Sequence, residues 1–457
     1  MPVHVDSGRG RFWPAADIRN GPQVPVLIAA GENQRSLELK EPRRSLRWHL
    51  LLLFSLYITQ YLGISFILET LVAVLRRGGM PLERLGFVYL LGLFWGIKFL
   101  WAPVLDRYSL VKSGHFRGWL LILQSLLAIS LLLTAGFDPQ SGGPTVFFLC
   151  MFICFFSSSG DIAADALAYR LLTEEERGYG NAVKTGGGLL GYMLGGGVAL
   201  MLYARLGWTL TLLILAAVTL LSLVQLIFLR EPAHVPSRWE ETGYLKRFYS
   251  YWTAPGRNRW LVLLVLYPLA ISIAYGIIIP MLVDAGWSLA RIGFIVNIAG
   301  ALIGASAAMG AGWLIRKVGR RSMLVGTALA QGLGILLLLL PAWGRHDIFS
   351  VCLAVGALMF LHTLSATVMS TVMMDQTDNT SPATDLAMQH SLYQVVGFVA
   401  SAVSVTFAGK FGYAATICAA SGLAFLSLAA SVKLYAPGTR RVGVSGAFSP
   451  AINKLEA

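Results

Sequence analysis

Charge is scarce in this sequence: 13% of its 457 residues are Asp, Glu, Lys or Arg, while 56% are hydrophobic. Soluble domains carry roughly 25% charged residues, so this balance excludes a water-soluble globular fold and puts the chain in the membrane class. Cysteine is also scarce. Cys150, Cys154, Cys352 and Cys418 lie inside apolar runs, with no Cys-x-x-Cys and no Cys/His cluster, so they read as packing residues rather than metal ligands or disulfide partners. There is no zinc-site spacing and no nucleophile elbow. Gly178-Tyr-Gly-Asn-Ala-Val-Lys184-Thr185 superficially looks like a phosphate loop, but Val183 stands at the required second glycine and no strand precedes it. ATP hydrolysis is thereby excluded, no enzyme activity is implied, and no cofactor or metal is expected. No cleavable signal peptide is visible, because the first long apolar run starts only near Trp48, behind a polar stretch containing Gly and Pro.

What the chain does have is long apolar runs. A helix needs about 20 apolar residues to cross the hydrocarbon, and twelve runs of that order occur, at 49–75, 84–103, 118–136, 144–172, 182–204, 208–229, 259–283, 290–314, 322–341, 346–374, 387–409 and 412–435. The expected fold is an all-α membrane protein with twelve transmembrane helices. The longest polar interval after the N-terminal tail falls between the sixth and seventh runs. It divides the chain into a tail (1–47), a six-helix half (48–229), a linker (230–258), a second six-helix half (259–435) and a tail (436–457).

The formal net charge of +13 does not point to nucleic acid, because the basic residues sit in alternate loops, which is the pattern that sets membrane topology. Arg43, Arg44 and Arg47 come first. Arg107, Lys112 and Arg117 follow, then Arg238, Lys246, Arg247, Arg257 and Arg259, and finally Arg316, Lys317, Arg320 and Arg321. The intervening loops hold fewer, such as Arg76, Arg77, Arg84, Arg345 and Lys410. Both termini are therefore expected in the cytoplasm.

The second and eighth runs end alike. Ala102-x-x-x-Asp106-Arg107 follows one, and Gly312-x-x-x-Arg316-Lys317-x-Gly-Arg320-Arg321 follows the other. Two parallel six-helix repeats are the arrangement of the major facilitator superfamily, whose substrate site lies near the midplane between the halves. Gly312–Arg321 resembles that superfamily's loop signature, whereas the first copy has Ala102 in place of Gly and lacks the trailing Gly-Arg-Arg. Asp106, Arg107, Arg316, Lys317, Arg320 and Arg321 are candidates for a cytoplasmic gate that pairs across the halves in one conformation; the alternative is that they only set topology. The series Gly187-x-x-x-Gly191-x-x-x-Gly195 and Gly300-x-x-x-Gly304-x-x-x-Ala308-x-x-x-Gly312 predict close helix packing. The fifth run lacks the Gly-Pro pair usual in drug/proton antiporters of the superfamily.

Glu69, Lys98, Asp161, Asp165 and His362 fall inside apolar runs, where an ionisable side chain costs about 2.5–3.5 kcal/mol unless paired or wetted. Asp161 and Asp165 lie on one stripe of the fourth run with Ser158 and Cys154. Lys98 sits at comparable depth, so the expectation is either an ion pair with one of the aspartates or an aspartate that takes up a driving proton. Glu69, on a stripe with Tyr57, Tyr61 and Ser65, is the other proton-coupling candidate, unless it pairs with Arg76 or Arg77. A polar segment at His362–Ser370 and another at Gln389, His390, Tyr393 and Gln394 point to a wet cavity. Tyr57, Tyr61, Tyr267 and Tyr275 are candidates to line it beside His362, Gln389 and Tyr393, or else they face lipid or core; together they suit a bulky, partly aromatic ligand.

Lys98-Phe-Leu-Trp-Ala-Pro-Val-Leu-Asp-Arg107, Gly114-His-Phe-Arg-Gly-Trp119, Gly160-Asp-Ile-Ala-Ala-Asp-Ala166 and Glu176-Arg-Gly-Tyr-Gly-Asn181 resemble the branch that holds muropeptide permeases, acetyl-CoA transporters and siderophore permeases of the rhizobactin/pyochelin type. Three features lean toward the siderophore permeases: the Gly-His-x-Arg-x-Trp loop, the Gly186-Gly-Gly and Gly195-Gly-Gly runs, and Thr384-Asp385-x-x-x-Gln389-x-Ser391. The chain also ends after twelve runs, where muropeptide permeases often add helices. Two positions depart from the branch: Gly160 stands where Gln is usual, and the first run lacks a Pro near Leu62-Gly63. The resemblance implies a bacterial inner-membrane importer of a siderophore, with or without iron, working by alternating access and driven by protons. A muropeptide permease and a non-transporting membrane sensor are the alternatives.

Overall fold

The computed structural model describes residues 46–110, 114–173, 176–231, 251–253, 257–377 and 382–435. Most of the expected tails and linker lie outside the described residues, and with them Arg43, Arg44, Lys112, Arg238, Lys246 and Arg247. The chain divides into Met1–Trp48, of which only the last three residues are described, and His49–Ala457, within which all the packing below occurs.

Every described element is helical, as expected of apolar runs whose backbone groups must bond within their own segment in lipid. Nine stretches among the described residues are long and apolar enough to cross a membrane. Seven are single spans: α1 (Leu46–Arg77), α3 (His115–Ala135), α4 (Gly143–Leu171), α7 (Arg257–Asp284), α8 (Leu289–Val318), α9 (Arg320–Ala342) and α10 (Ile348–Asp375). The other two each reverse at a glycine, giving α5 (177–206) with α6 (208–227), and α11 (382–411) with α12 (413–434). The remaining span, α2 (82–107), is broken into Leu82–Leu90, Leu93–Gly96, Lys98–Leu100 and Ala102–Arg107. Pro103, in the first turn of the last piece, has no N–H to continue the preceding helical ladder. The described residues therefore form twelve transmembrane helices, as expected.

The two reversals are a repeat in sequence as well as shape. Gly207 (φ 76°, ψ −174°) sits in Arg205-Leu-Gly-Trp208, and Gly412 (φ 83°, ψ 165°) in Lys410-Phe-Gly-Tyr413. Side chains of L-residues rarely adopt that backbone, so glycine marks the turn in both halves. A second repeat joins α1 to α2 and α7 to α8: Gly79-Met-Pro-Leu-Glu-Arg-Leu-Gly-Phe87 matches Gly286-Trp-Ser-Leu-Ala-Arg-Ile-Gly-Phe294.

Equivalent glycines in that repeat do equivalent work. A Cβ on Gly86 of α2 would lie 2.6 Å from Ala402 O of α11, and one on Gly293 of α8 would lie 2.7 Å from Gly197 O of α5. These contacts join the halves on opposite sides. Within the first half, the Gly187, Gly191 and Gly195 series lets α5 lie directly on α1, against Phe54 O, Ile58 O and Leu62 O. The α8 series packs only in part: Gly300 and Gly304 meet Met359 and Thr363 of α10, whereas Gly312 has open space beside it. Among the described residues, α8 has no close neighbour on that face at that end.

Among the described residues, extensive packing between halves joins Val72–Arg77 to α7, residues 82–100 to α11, and Met193–Val198 with the following part of the chain to the start of α8. The segments Ala102–Arg107, Arg177–Tyr192 and Gly300–Val318 take no part in it. The halves thus meet at the end that carries the 78–81 and 285–288 turns and diverge toward the end that carries Asp106 and Arg316. Exposed side chains on the spans, such as Phe148, Leu221, Leu302, Leu333 and Leu426, supply the apolar outer surface a bilayer requires.

Candidate functional site

Four helices of the first half bring one charged cluster together. Lys98 Nζ of α2 donates to Asp161 Oδ2 of α4, so of the two expected partners the lysine takes Asp161. Asp165, one turn further along α4, is bound by Lys184 of α5 (Nζ to Oδ2 2.5 Å and Oδ1 2.7 Å), and Lys184 also lies 3.8 Å from Asp161. Tyr57 of α1 donates its hydroxyl to Asp165 Oδ1 at 2.9 Å. Two carboxylates thereby face two ammonium groups, which removes most of the cost of burying them.

The cluster has an inner and an outer side. Asp161 is fully buried, its Oδ1 without a hydrogen-bond partner among the described residues, whereas the side chains of Lys98, Lys184 and Asp165 are 23%, 30% and 43% exposed. Since these three lie on helices that converge with α1, their exposure marks an opening into the space between the diverging halves. Half-buried Tyr61 and Tyr192, 5.8 Å apart, border it, and buried Trp95 packs behind them, 4.9 Å from Tyr61 and with Lys98 Nζ 4.9 Å from its ring centre. His390 of α11 faces Lys98 and Lys184 at Coulombic range from the other half.

A second constellation crosses the halves. Glu69, buried in α1, accepts the Tyr275 hydroxyl of α7 at 2.5 Å, and Tyr275 stacks on His362 of α10 at 4.8 Å. Glu69 therefore does not pair with Arg76 or Arg77. Arg76 instead makes a two-pronged bond to Asp284 at the end of α7 (2.6 Å each), Tyr413 of α12 donates to Asp284 Oδ2 at 2.6 Å, and Arg77 donates to Trp287 O.

Several expected residues sit elsewhere. Tyr57 and Tyr267 are buried rather than bordering open space: Tyr57 holds Asp165, and Tyr267 packs with Trp260, Leu264 and Met323 in a separate core. Tyr393 packs against that same core. Gln389 is fully buried because its amide accepts from Trp260 Nε1 (2.8 Å) and donates to Met373 O and Asp385 O. The proposed gate residues bond within their own half: Arg320 to Asp375 at 2.7 Å, Arg321 to Val432 O and Arg316 to Gly312 O, while Lys317 lies over Trp313 and Arg107 over Tyr108. Asp106, which ends α2, is half-buried beside His115 and Arg170 of the same half.

Lys184, Asp284 and Tyr413 were missed by sequence reasoning, and each left a trace. Lys184 is a cation near the start of an apolar run, Asp284 interrupts the end of one, and Tyr413 stands where the first repeat has Trp208.

The features that leaned toward siderophore permeases have structural work. In Gly114-His-Phe-Arg-Gly-Trp119, His115 meets Leu105 O, Arg117 donates to Leu226 O and Ile227 O, and Trp119 donates to Tyr108 O. Glu231 caps the same helix at Phe116 N and Arg117 N and pairs with Arg170 at 2.9 Å. The glycine runs seat α5 on α1, and Gln389 ties α11 to α7 and α10.

Comparison with known proteins agrees with this architecture. Anhydromuropeptide permease of Escherichia coli K12 is 31% identical over 273 residues, 58% of this chain and 54% of that protein, so the alignment spans about half the relative's length. Putative transporter AmpG 3 of Rickettsia typhi is 24% identical over 328 residues, covering 67% of this chain and 78% of that one. Among solved structures, the nucleoside transporter NupG superposes with TM-score 0.64 at 14% identity, covering 84% of this chain and 98% of that one. The inward-open xylose transporter XylE of E. coli gives TM-score 0.65 at 13% identity, over 85% and 96%. These likenesses to solved structures establish the fold alone, and neither of the two sequence relatives is named as a siderophore permease. Residues 44–405 match the Major Facilitator Superfamily, and the chain, a multi-pass membrane transporter rather than an enzyme, belongs to that superfamily.

Proposed function

We propose that this chain imports a peptidoglycan fragment of the anhydromuropeptide class across a bacterial inner membrane, by alternating access and driven by protons, with both termini in the cytoplasm. The observation that carries the substrate class is the 31% identity to the E. coli anhydromuropeptide permease. The site chemistry supports it. A muropeptide joins sugar rings to a short peptide with free carboxylates; Tyr61 and Tyr192 offer ring faces to a sugar, and Lys98 and Lys184 offer cations to a carboxylate. Asp161 keeps Lys98 in place, and Asp165, the more exposed aspartate, is the one a substrate carboxylate displaces from Lys184.

On this reading the opening faces the cytoplasm, and the Arg76–Asp284–Tyr413 contacts hold the outer end shut. Asp106, Arg107, Arg316, Lys317, Arg320 and Arg321 pair across the halves in the opposite conformation. Import of a siderophore is the second reading, favoured only by the narrower sequence resemblance. The test is uptake by proteoliposomes holding the purified chain, offered labelled anhydromuropeptide or iron-labelled siderophore, with and without an inward proton gradient. Gradient-dependent accumulation of the muropeptide is expected. Siderophore accumulation without muropeptide transport would reverse the assignment, and movement of neither would remove both substrates.

A further inference from the structure

Among the described residues, Glu69 differs from the aspartates in having no cation beside it. The titratable groups facing it are Tyr275 from α7, Tyr192 from α5 and Tyr89 from α2, with His362 of α10 behind Tyr275. Its Oε1 accepts one hydroxyl, and its buried Oε2 has no hydrogen-bond partner among the described residues. A negative charge there would be uncompensated in an apolar surround, which is among the most expensive placements available to a side chain.

The local backbone is unusual as well. Glu69 lies in a π-helical turn, Phe66–Leu71, which packs against a second such turn, Met193–Val198, and that turn packs against a third, Gly293–Ala299, from the other half. Isolated π turns inside helices are frequently found at functional sites. Here they stack where the halves touch, one helical stretch away from the Arg76–Asp284 contact.

We propose that Glu69 carries the coupling proton, and that its bond to Tyr275 makes closure of the 78–81 end conditional on that proton. The inference rests on proton-driven transport as proposed above and separates the proton site from the Lys98–Lys184 substrate site. The step moves one proton and no electrons. With the proton on Glu69 the group is neutral and α7 can close over it. When the proton leaves to water, the carboxylate draws water in, α7 separates from α1, and this end opens.

The experiment compares the wild-type chain with Glu69→Gln in proteoliposomes by two assays: accumulation of labelled anhydromuropeptide under an inward proton gradient, and exchange of labelled for unlabelled muropeptide without a gradient. Exchange requires the halves to rock while substrate is bound but needs no proton release, and it also reports that the variant is folded. The expected result is loss of gradient-driven accumulation by about tenfold or more with exchange persisting. Accumulation at the wild-type level would overturn the proposal, and so would loss of both activities, which would make Glu69 part of the substrate site or the scaffold. A substrate-free measurement stands apart from the choice of muropeptide: infrared spectra of the purified chain at neutral pH should show a protonated-carboxyl band that Glu69→Gln removes. Absence of that difference overturns the proposal even if the transported solute proves to be something else.

Discussion

Lys98 and Asp161 show how a membrane interior turns a charge into an obligation. Asp161 is fully buried and holds Lys98 on one side and Lys184 at 3.8 Å on the other. Removing one partner of such a pair strands the other, which costs about 3–5 kcal/mol in buried sites. Asp161→Asn should therefore abolish uptake and lower the thermal stability of the detergent-purified chain. Adding Lys98→Met should recover much of the stability but none of the transport. Wild-type uptake by Asp161→Asn would remove this aspartate from the mechanism. A double-mutant cycle on melting temperature gives the coupling energy directly.

The reach of sequence reasoning is visible at these same residues. Lys98, Asp161 and Asp165 could be placed together because each interrupts an apolar run at comparable depth. Which aspartate the lysine takes could not, because that depends on the position of Lys184, supplied by a helix whose rotation about its axis is set by Gly187, Gly191 and Gly195 against α1. Tyr275 and Glu69 were both singled out, 206 positions apart, but nothing in their local sequence joins them.

Helix contacts here are governed by what is missing from side chains. In lipid an apolar residue gains little by leaving the bilayer for another helix, so α5 and α1 associate through close backbone approach over glycine. A Cβ at Gly191 would lie 2.6 Å from Ile58 O, and backbone cannot yield as a side-chain tip can. Gly191→Val is expected to cost about 1–3 kcal/mol or more through overpacking, read as lowered melting temperature and reduced membrane yield. Gly312→Val, in open space on α8, should be close to neutral in the same assay. Equal losses at both positions would contradict the packing assignment.

Elements also carry the gate. The Arg76–Asp284 contact is partly exposed, at 20% and 30%, so it contributes on the order of 1 kcal/mol, enough to move a two-state equilibrium about fivefold. Asp284→Asn should populate the conformation open at the 78–81 end. Distances between spin labels placed at Arg84 and Arg291 would lengthen in the variant; an unchanged distribution would show that the latch contributes nothing.

For the whole molecule, alternating access requires that the ends now apart come together. Tyr108 and Val318 are exposed on the two halves at the diverging end. With Cys352 and Cys418, both exposed, replaced by alanine, Tyr108→Cys with Val318→Cys should cross-link whenever the diverging end closes, with or without substrate. Uptake should stop on cross-linking and return on reduction. Continued transport by the cross-linked chain would exclude rocking of these two halves.

Composition and run length by themselves determined the membrane class, the twelve spans and the repeat, because a bilayer imposes length and apolarity on every crossing segment regardless of its neighbours. They also nominated the intramembrane charges, since each is expensive alone. Only the tertiary structure decided the pairings and the division of labour: Lys184 with Asp165, Asp284 with Arg76, Glu69 with Tyr275, and Gln389 and Tyr267 turned into packing. Those depend on helix rotation and on which end of the two halves is closed, and both are set by contacts between segments far apart in the chain, which leave no periodic trace in either segment alone.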